Sequence, residues 1–477
     1  MRISFLLYFI AISAFIQCKR DNTIETDSSQ QPILTKDSIV FDTVFTTIGT
    51  TTEFFKVKNP SNKTLEIDRI FIETGANSNY RMNVDGEPGF DFSKVQILPK
   101  DSIFIFVEAT INPNGGNTPL IVEDKIIFET LGKTKHVTLF AWGQDAIYHR
   151  ADTYLEGLPP FVVLPENEVW TQEKPHVIFG YAVVDSARTL RIEAGTQVHF
   201  HNASGLWVYR GGQITVNGTP DNLVVFQGDR LESFFDDAPG QWDRIWINEG
   251  PAENIIRGAI IKNGLIGLQV EPLPFDPLSP TSSNTLTLEN VTLQNHSGIG
   301  LLARNYRINA TNVIIGDAGT YGLAISGGGN YNFNHVTIAN YYSEKPRIEP
   351  GILITNVYQD AAGDIQIRPI ENLSINNSIM DGSQPTEYEF SLNDEVTNTI
   401  LIQNTLVKSE ANLDGTIFQS CFPNQEPGFQ ESNNNNFDLL INAFARDRGV
   451  PTGVNTDIKG SFRDFNPDLG AHEYDGN

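Results

Sequence analysis

The side chains that could recognise a sugar are concentrated between positions 199 and 246 of the chain. Aliphatic residues alternate there with aromatic and polar ones, which is typical of a strand that buries one side only. If Leu206 and Val208 point into the protein, Trp207 and Tyr209 point out of it. An exposed ring can pack against the C–H face of a pyranose, so this pattern predicts a glycan-binding surface. The predicted glycan-binding residues are His199, Trp207, Tyr209, Arg244 and Trp246.

The same rings could instead be buried contacts. Trp and Tyr are enriched where protein surfaces meet, and a Pro-rich insertion at 272–280 follows the second Trp of this region. Under this alternative, the aromatic residues lie beneath that insertion or beneath another domain, and they bind no ligand.

Three aspartates near the aromatic residues could bind Ca²⁺ or hydrogen-bond a ligand, because hard cations prefer carboxylate oxygens. They are Asp236, Asp237 and Asp243. Glycoside hydrolysis needs two carboxylates beside the scissile bond, and elimination from a polyuronide needs a base with acidic Ca²⁺ ligands. No partner motif accompanies these aspartates, and the 8 His residues are too scattered for a zinc site. Catalytic residues and metal ligands therefore stay unassigned, and Ca²⁺ is the one cofactor left open.

The charge of the chain excludes several partners. Its 477 residues include 33 Lys and Arg but 58 Asp and Glu, so the formal net charge is −25. Such a chain has no basic surface for nucleic acid or for an anionic bilayer. It also disfavours polyuronides unless Ca²⁺ bridges the two. The 2 cysteines cannot form a disulfide framework, so the fold must depend on burial and hydrogen bonds.

The N-terminal residues have the pattern of an export signal. Arg2 is followed by an apolar run at 3–16, which is too short to span a membrane. A cysteine closes this run. We therefore expect a lipoprotein signal peptide at 1–18, a lipid on Cys18, and a flexible tether at 19–32.

This signal also predicts the location of the protein. We expect it at the outer membrane of a double-membrane bacterium, on the periplasmic or the surface face, with the membrane as a partner through the lipid anchor. Gln17 departs from the lipoprotein pattern, because Gly, Ala or Ser usually precedes the lipidated cysteine. The alternative is ordinary secretion after cleavage near the small residues Ala11 and Ser13.

Residues 33–145 have the pattern of a β-sandwich, since about seven short alternating strands are separated by turn clusters. The segments 57–67 and 97–103 resemble the Hydin-type immunoglobulin-like domains, with Lys100 in place of their usual glycine. This resemblance implies a spacer or docking module rather than a catalyst.

After a predicted linker at 146–175, the chain repeats itself. Val291, Val313 and Val336 open similar segments at steps of 22 and 23 residues, and each segment is followed by a second short strand that begins with glycine. Periods of this length occur in leucine-rich repeats and in β-helices. Short strands with Gly and Asn between them favour a parallel β-helix over 176–477.

Asparagine precedes several of the repeated strands. Asn tolerates left-handed backbone angles and can hydrogen-bond to the Asn of the next coil, so we expect corners rather than ligands at these positions. The predicted corner residues are Asn290, Asn312, Asn334, Asn377 and Asn404.

Both ends of this region resemble bacterial right-handed parallel β-helix repeat proteins of the pectin-lyase-like kind. The matching segments are 189–200 and 205–226 at the start, and 455–460 and 468–474 at the end. The resemblance implies an all-β chain, in which a β-sandwich precedes a right-handed parallel β-helix solenoid with a C-terminal cap. Enzymes of this fold mostly cleave polysaccharides, but of the polygalacturonase-like motifs the sequence contains only Asn-Thr-Asp, at 455–457.

These patterns favour an envelope-anchored, surface-exposed lipoprotein whose β-helix binds a glycan or an envelope protein without catalysis. A polysaccharide lyase or glycoside hydrolase with divergent catalytic residues is the first alternative, and a structural envelope protein is the second. Clustered carboxylates in a groove would favour the enzyme, and aromatic residues on a flat face would favour binding, because the fold alone decides neither.

Overall fold

The computed structural model of the protein describes residues 23–112, 120–273, 280–360 and 362–476. The predicted signal peptide with Cys18, and the first residues of the predicted tether, lie outside these ranges. The prediction of a flexible tether is wrong for Ile24 and Glu25, because Ile24 forms a β-bridge with Thr64 and the buried carboxylate of Glu25 accepts from the hydroxyl of Ser61. The chain divides after Asp145 into two compact units. The described residues form β-strands and three short 3₁₀ turns, so the predicted all-β fold class is confirmed. No helix in the described ranges is long and apolar enough to cross a membrane.

The first unit is a β-sandwich. Its strands are β1 (Ile33–Leu34), β2 (Ser38–Phe45), β3 (Glu53–Lys58), β4 (Leu65–Ile72), β5 (Tyr80–Val84), β6 (Glu87–Gly89), β7 (Asp91–Ile97), β8 (Ser102–Ala109), β9 (Leu120–Thr130) and β10 (Lys133–Gln144), with a 3₁₀ turn at Gly75–Asn77. One sheet has the order β1-β3-β8-β5-β6 and the other has the order β2-β10-β9-β4-β7. The strands pair antiparallel except for β10 and β2, so the predicted antiparallel sandwich contains one parallel pair.

Alternation along each strand builds the core of this sandwich. On β8, Ile103, Ile105 and Val107 are buried, while Phe104 and Phe106 between them are exposed. Successive side chains of a strand point to opposite sides, so one side of each sheet fills the space between the two sheets. The other side of the sheet is left to the solvent.

The second unit is a parallel β-solenoid. Its first strands are β11 (Ile147–Arg150), β12 (Phe161–Val163), β13 (Glu168–Trp170), β14 (His176–Phe179), β15 (Tyr181–Val184), β16 (Thr189–Glu193), β17 (Gln197–Phe200), β18 (Gly205–Val208), β19 (Gln213–Asn217), β20 (Val224–Gly228), β21 (Ile245–Ile247), β22 (Asn254–Lys262) and β23 (Ile266–Val270). They are followed by β24 (Thr285–His296), β25 (Ile299–Ala318), β26 (Tyr321–Asn340), β27 (Ile352–Thr355), β28 (Val357–Gln359), β29 (Ile365–Ile367), β30 (Ile370–Asn376), β31 (Ile379–Gly382), β32 (Tyr388–Ser391), β33 (Ile400–Gln403), β34 (Leu406–Val407), β35 (Phe418–Gln419), β36 (Phe422–Pro423), β37 (Phe429–Glu431) and β38 (Asn436–Leu439). Two 3₁₀ turns lie at Ser233–Phe235 and Ser432–Asn434.

Successive coils pair in parallel and form three faces. The first face contains β11, β14, β17, β20, the last parts of β22, β24, β25 and β26, and then β31, β34 and β36. The second face contains β12, β15, β18, β21, β23, the first parts of β25 and β26, and then β27 and β32. The third face contains β13, β16, β19, the first parts of β22 and β24, the middle of β25 and β26, and then β30, β33 and β35.

Columns of aliphatic side chains fill the interior of the solenoid. On the second face, strand pairing aligns one buried residue from each of five successive coils, namely Leu206, Ile245, Leu268, Leu301 and Leu323. The predicted repeat is confirmed in the same way on the first face, because Val291 pairs with Val313 and Val313 pairs with Val336. Each coil therefore stabilises its neighbours through a continuous core.

The corner before the repeated strands requires a left-handed backbone. Four predicted corner residues have a positive φ, namely Asn290 (55°), Asn312 (52°), Asn377 (49°) and Asn404 (46°). The prediction for Asn334 is wrong by one position. His335, with φ of 55°, occupies that corner and is aligned by the strand register with Asn312. Its Nε2 lies 3.0 Å from Nδ2 of Asn377, so the imidazole takes part in the side-chain ladder of the corner.

The predicted linker at 146–175 is also wrong. Within it, β11, β12 and β13 pair in parallel with β14, β15 and β16. These strands therefore belong to the solenoid and form its first coil. The Pro-rich turns between them hide the strand periodicity in the sequence.

The C-terminal segment folds back along the first face. Arg463 Nη2 donates to Asn312 Oδ1 (3.0 Å), and Asn377 Nδ2 donates to the carbonyl oxygen of Val450 (2.7 Å). Apolar side chains of the segment pack on outward-pointing residues of this face, including Ile314. The first face is therefore covered in the later coils and is not available there to a ligand.

Candidate functional site on the second face

Strand pairing places the predicted aromatic residues on the outer side of the second face. Trp207 on β18 pairs with Trp246 on β21, and Leu206 pairs with Ile245. Since Leu206 and Ile245 point into the coil and are fully buried, the two Trp side chains point outward. On the next coil, Trp246 pairs with Gln269 of β23.

The two indole rings form a closed stack. Their centroids are 4.6 Å apart and their planes differ by 7°. Trp207 covers one face of Trp246, and Gln269 follows on the coil at its other side. Both indole N–H groups donate within the protein, from Trp207 to Asn248 Oδ1 (2.8 Å) and from Trp246 to Glu271 Oε1 (2.9 Å). The stack therefore covers one face of the Trp246 ring, and Trp246 as a whole is half-buried.

The prediction that Trp207 lies at the surface is wrong. Its side chain points out of the coil, as alternation requires, but it is only 5% exposed. It packs with Tyr181, Val183 and Leu273, and Leu273 belongs to the Pro-rich insertion that follows β23. Trp207 therefore corresponds to the alternative of a buried contact. Residues 274–279 of that insertion lie outside the described residues.

A row of polar side chains crosses three coils beside the Trp stack. Arg244 Nη2 lies 2.8 Å from Asp243 Oδ1, and Nη1 of Arg244 donates to Gln269 Oε1. Gln269 Nε2 donates to Glu271 Oε1 (2.7 Å), and Arg304 Nη1 donates to Glu271 Oε2 (3.1 Å). We call these five residues the polar strip.

The polar strip has a buried layer and an accessible layer. Gln269 and Glu271 are buried, whereas the side chains of Asp243, Arg244 and Arg304 are 24%, 25% and 37% exposed. The buried acceptors hold the guanidinium groups in place, so these groups lose little conformational entropy when they bind a ligand. The polar groups of the strip are therefore held in fixed positions.

Two tyrosines border the polar strip. Tyr181 donates its hydroxyl hydrogen to Asp243 Oδ2, and burial raises the pKa of Tyr181 above its ordinary value, so the hydroxyl stays a donor. Tyr209 is 36% exposed, and its ring is perpendicular to that of Trp207 at a centroid distance of 5.2 Å. Tyr209 is thus the accessible aromatic ring of this site.

A cleft of about 400 Å³ opens at the turn after Tyr209. Arg210, Glu249 and Leu273 are among the residues that line it. A volume of roughly 300–1,000 Å³ is usual for small-ligand sites, and a mixture of polar and apolar walls is usual as well. Among the described residues, its lining contains none of the polar strip, so the cleft is a separate accessible feature of this part of the solenoid.

Three predicted residues do not join this site. His199 is 3% exposed on the first face, its Nδ1 lies 2.9 Å from the carbonyl oxygen of Gly228, and burial lowers its pKa to about 4. The prediction that His199 contacts a ligand is therefore wrong. Asp236 and Asp237 are exposed in the loop before β21, and the carbonyl oxygen of Asp236 accepts a hydrogen bond from Asn263 Nδ2 (2.8 Å).

The three predicted aspartates do not form a Ca²⁺ site. Asp243 is bound to Arg244 and Tyr181, away from any convergence with the loop aspartates. Within the described ranges, no group of three or more His, Cys, Asp or Glu side chains could hold a metal ion.

Sequence reasoning missed three buried residues on which the site depends. Gln269 and Glu271 alternate with the buried Leu268 and Val270, which is the same signal that identified Trp246. Tyr181 gave no such signal, because every residue of β15 is buried.

Comparisons with known proteins add little to this geometry. No family model matches the sequence, and no curated protein matches it. A solved family 123 glycoside hydrolase from Clostridium perfringens is similar over 23% of this chain and 23% of its own length, with 9% identity and a TM-score of 0.17. The catalytic unit of a thermostable GH87 α-1,3-glucanase from Streptomyces thermodiastaticus strain HF3-3 is similar over 78% of this chain and 89% of its own, with 10% identity and a TM-score of 0.22. At these values the similarity carries no functional information. The assignment of the fold rests on the strand pairing within this chain.

Proposed function

We propose that the polar strip and the adjacent cleft bind an extended, uncharged glycan. The observation that carries this proposal is the fixation of two accessible guanidinium groups, those of Arg244 and Arg304, by buried acceptors on neighbouring coils. Guanidinium and carboxylate groups hydrogen-bond well to hydroxyls, since charge-assisted bonds are the stronger ones. Coils about 4.8 Å apart repeat these groups along the solenoid axis, which suits a polymer of hydroxylated rings.

The charges of the strip favour an uncharged glycan over a polyuronide. Arg244 is paired with Asp243 (2.8 Å) and Arg304 with Glu271 (3.1 Å), so neither guanidinium has its full charge left for a ligand carboxylate. The net charge of −25 adds a long-range repulsion against anionic polymers.

Tyr209 supplies the apolar contact in this proposal. A pyranose has C–H groups that pack against an aromatic face. Tyr209 is 36% exposed and directly precedes Arg210, which lines the cleft. The Trp207–Trp246 stack has a different role, because it holds β18 and β21 rigidly and so fixes Arg244.

We expect Arg244→Ala to weaken binding of the full-length chain to its best glycan at least tenfold. A hydrogen bond to a charged group contributes about 1.5–3 kcal/mol, and about 1.4 kcal/mol corresponds to a tenfold change in Kd. A glycan array would identify the polysaccharide, and isothermal titration calorimetry would give the Kd. Arg191→Ala is the matched control, since Arg191 is an exposed arginine of the third face with a side chain 57% exposed.

The same measurements separate this proposal from the other roles. Binding that survives Arg244→Ala would contradict the assignment to the polar strip. The absence of any glycan on the array would favour a structural role in the envelope. Tyr209→Ala should also weaken binding, whereas Tyr154→Ala, which removes a ring 73% exposed elsewhere in the unit, should not.

A hydrolase is the second candidate, because Asp243 is an accessible carboxylate held by a tyrosine hydroxyl and an arginine. The other carboxylate of the strip, Glu271, accepts from Trp246, Gln269 and Arg304 and is buried, which suits a fixed anchor better than a proton donor. Release of new reducing ends from the bound polysaccharide, abolished by Asp243→Asn, would establish hydrolysis and displace the binding-only proposal.

We also propose that a lipid on Cys18 holds the protein at the outer membrane. The support is the sequence pattern of a basic start, an apolar run and a closing cysteine. The polar residues that directly follow Cys18 suit this placement, because they can lead from a membrane-bound lipid to the sandwich.

Cys18→Ala should abolish incorporation of a labelled fatty acid and move the protein from the membrane fraction to the soluble fraction. Cys421→Ala is the matched control, since it removes the other cysteine of the chain and should leave labelling unchanged. Unlabelled wild-type protein in the culture medium would instead support ordinary secretion.

A further inference from the structure

The outer side of one sheet of the sandwich carries three exposed phenylalanines. Phe54 on β3 is 48% exposed, and Phe104 and Phe106 on β8 are 37% and 40% exposed. Phe54 pairs with Phe106 across the strands, and the three ring centroids lie 5.9–6.0 Å apart. Single exposed apolar residues are ordinary, but a contiguous aromatic patch on a soluble domain usually marks a binding surface.

These rings are not displaced members of the core. Phe55, Ile105 and Val107, which alternate with them, fill the inner side of the sheet and are at most 1% exposed. The register of β3 with β8 therefore fixes the three rings on the outer side. A one-residue slip would expose the whole inner side, so the patch cannot be relieved by local rearrangement.

A cleft of about 310 Å³ adjoins Phe106, and Thr52, which directly precedes β3, also lines it. In the sheet order, β3 and β5 are on opposite sides of β8. Phe54 comes from β3, whereas Arg81 and Asn83 of the cleft come from β5, where Asn83 pairs with Phe106 and Arg81 pairs with Glu108. Phe106 therefore contacts Phe54 in the aromatic patch and also lines the cleft.

The walls of this cleft combine an aromatic ring with hydrogen-bonding groups of both kinds. Arg81 is exposed and offers N–H donors, and Glu108 offers carboxylate acceptors. Asn83 Oδ1 accepts from the backbone N–H of Gly86 (2.8 Å), an arrangement that fixes its amide so that the NH₂ group can donate to a ligand. An interface for another protein is usually depleted of charged residues at its centre, but here they adjoin the ring.

We infer that this cleft is a second glycan-binding site, in which one pyranose ring packs against Phe106 and its hydroxyls bind Arg81, Asn83 and Glu108. A pyranose has an apolar C–H face and a rim of hydroxyl groups, so it requires an aromatic ring with donors and acceptors around it. Arg81 and Glu108 carry opposite charges and Asn83 carries none, which suits an uncharged sugar. Phe54 extends the apolar surface for the next ring of a chain, whereas the ammonium of Lys56 lies over the ring of Phe104 (4.6 Å).

The test is a glycan array probed with the full-length chain and with three variants. Phe106→Ala and Asn83→Ala should each abolish, or weaken at least tenfold, the signal from one set of neutral glycans. Ile121→Ala, which removes an exposed aliphatic side chain (62%) from the other sheet of the same unit, should leave that signal unchanged. Circular dichroism and thermal melting of each variant must match the wild type, which their exposed positions make practicable.

Failure of this inference is distinguishable from failure of the solenoid proposal. Array signals that depend on Arg244 but not on Phe106 would overturn the second site and leave the first intact. Signals that depend on neither residue would overturn both. A dimer in analytical ultracentrifugation that Phe106→Ala disrupts, without any glycan signal that depends on Phe106, would identify the patch as a self-association surface and would also overturn the inference.

Discussion

Arg463→Ala is expected to lower the free energy of unfolding by about 3–5 kcal/mol, the usual cost of removing one partner of a buried ion pair. The side chain of Arg463 is 1% exposed, and its guanidinium lies 3.0 Å from Glu473 Oε2 and 3.0 Å from Asn312 Oδ1. It also donates to the carbonyl oxygens of Gly470 (3.1 Å) and Ala471 (3.0 Å). Its loss leaves buried acceptors without a donor, so the C-terminal segment should detach from the first face.

Chemical denaturation would give the stability, and limited proteolysis would show whether cleavage begins in the C-terminal segment. Lys459→Ala is the matched control, because Lys459 lies in the same segment and pairs with Asp438 (2.6 Å) while its side chain is 56% exposed. Exposed pairs contribute about 0–1 kcal/mol, so this variant should remain close to the wild type. Equal stabilities of the two variants would contradict the conclusion that Arg463 attaches the C-terminal segment to the first face.

The second large effect is a loss of stability in acid, to which two buried histidines contribute measurably. Burial also lowers the pKa of His149, His176, His335 and His472, which are unchanged in the comparison below. Burial lowers the pKa of His199 and of His296 to about 4. The bonds of His296 require the neutral ring, since its Nδ1 accepts from the N–H of Gly264 (3.2 Å) and its Nε2 faces the carbonyl oxygen of Ile261 (3.2 Å). Protonation would remove that acceptor inside the core.

The direction in which stability changes with pH follows from the number of protons that the folded and unfolded states bind. The folded-state pKa of each histidine lies below the unfolded value of about 6.5, so the unfolded chain binds more protons between pH 6.5 and 4 and stability falls as the pH falls. Each histidine then contributes a loss of about 2 kcal/mol between pH 7 and pH 5. The double variant His199→Gln and His296→Gln should therefore lose about 4 kcal/mol less than the wild type over this range.

Urea denaturation at pH 7 and pH 5 measures this difference, and both values stay above the isoelectric point of about 4.6. Asp317 acts in the opposite direction, because burial raises its pKa to about 6 and a raised carboxyl pKa adds stability as the pH falls. It is present in both proteins, so its effect cancels in the comparison. Identical losses in the wild type and the double variant would contradict the prediction.

The sequence predicted the architecture well where local periodicity and register coincide. The alternation of Leu206 and Val208 with Trp207 correctly gave the side of the strand, and the steps between Val291, Val313 and Val336 correctly gave the coil length. The corner residues were predicted correctly where an Asn directly precedes the strand. The prediction failed at His335, because an imidazole in a left-handed corner has no such sequence signature.

What the sequence could not predict depends on residues far apart in the chain. Whether an outward ring is exposed depends on what covers it, and Trp207 belongs to a cluster against which Leu273, 66 positions later, packs. The two layers of the polar strip come from separate coils. The sequence around Arg244 therefore does not show that Gln269 of the next coil accepts a hydrogen bond from it. Such contacts follow from the register of the solenoid, which no short window of sequence contains.

The return of the C-terminal segment has a consequence for biosynthesis. Arg463, which donates a hydrogen bond to Asn312, is synthesised 151 residues after it. Coils of a solenoid can assemble one after another as the chain emerges, because each pairs only with its neighbours. The outward-pointing Ile314, however, is covered only after Phe437 and Ile458 have been synthesised, because these residues pack in its cluster. Until then the nascent solenoid exposes an apolar surface on its first face.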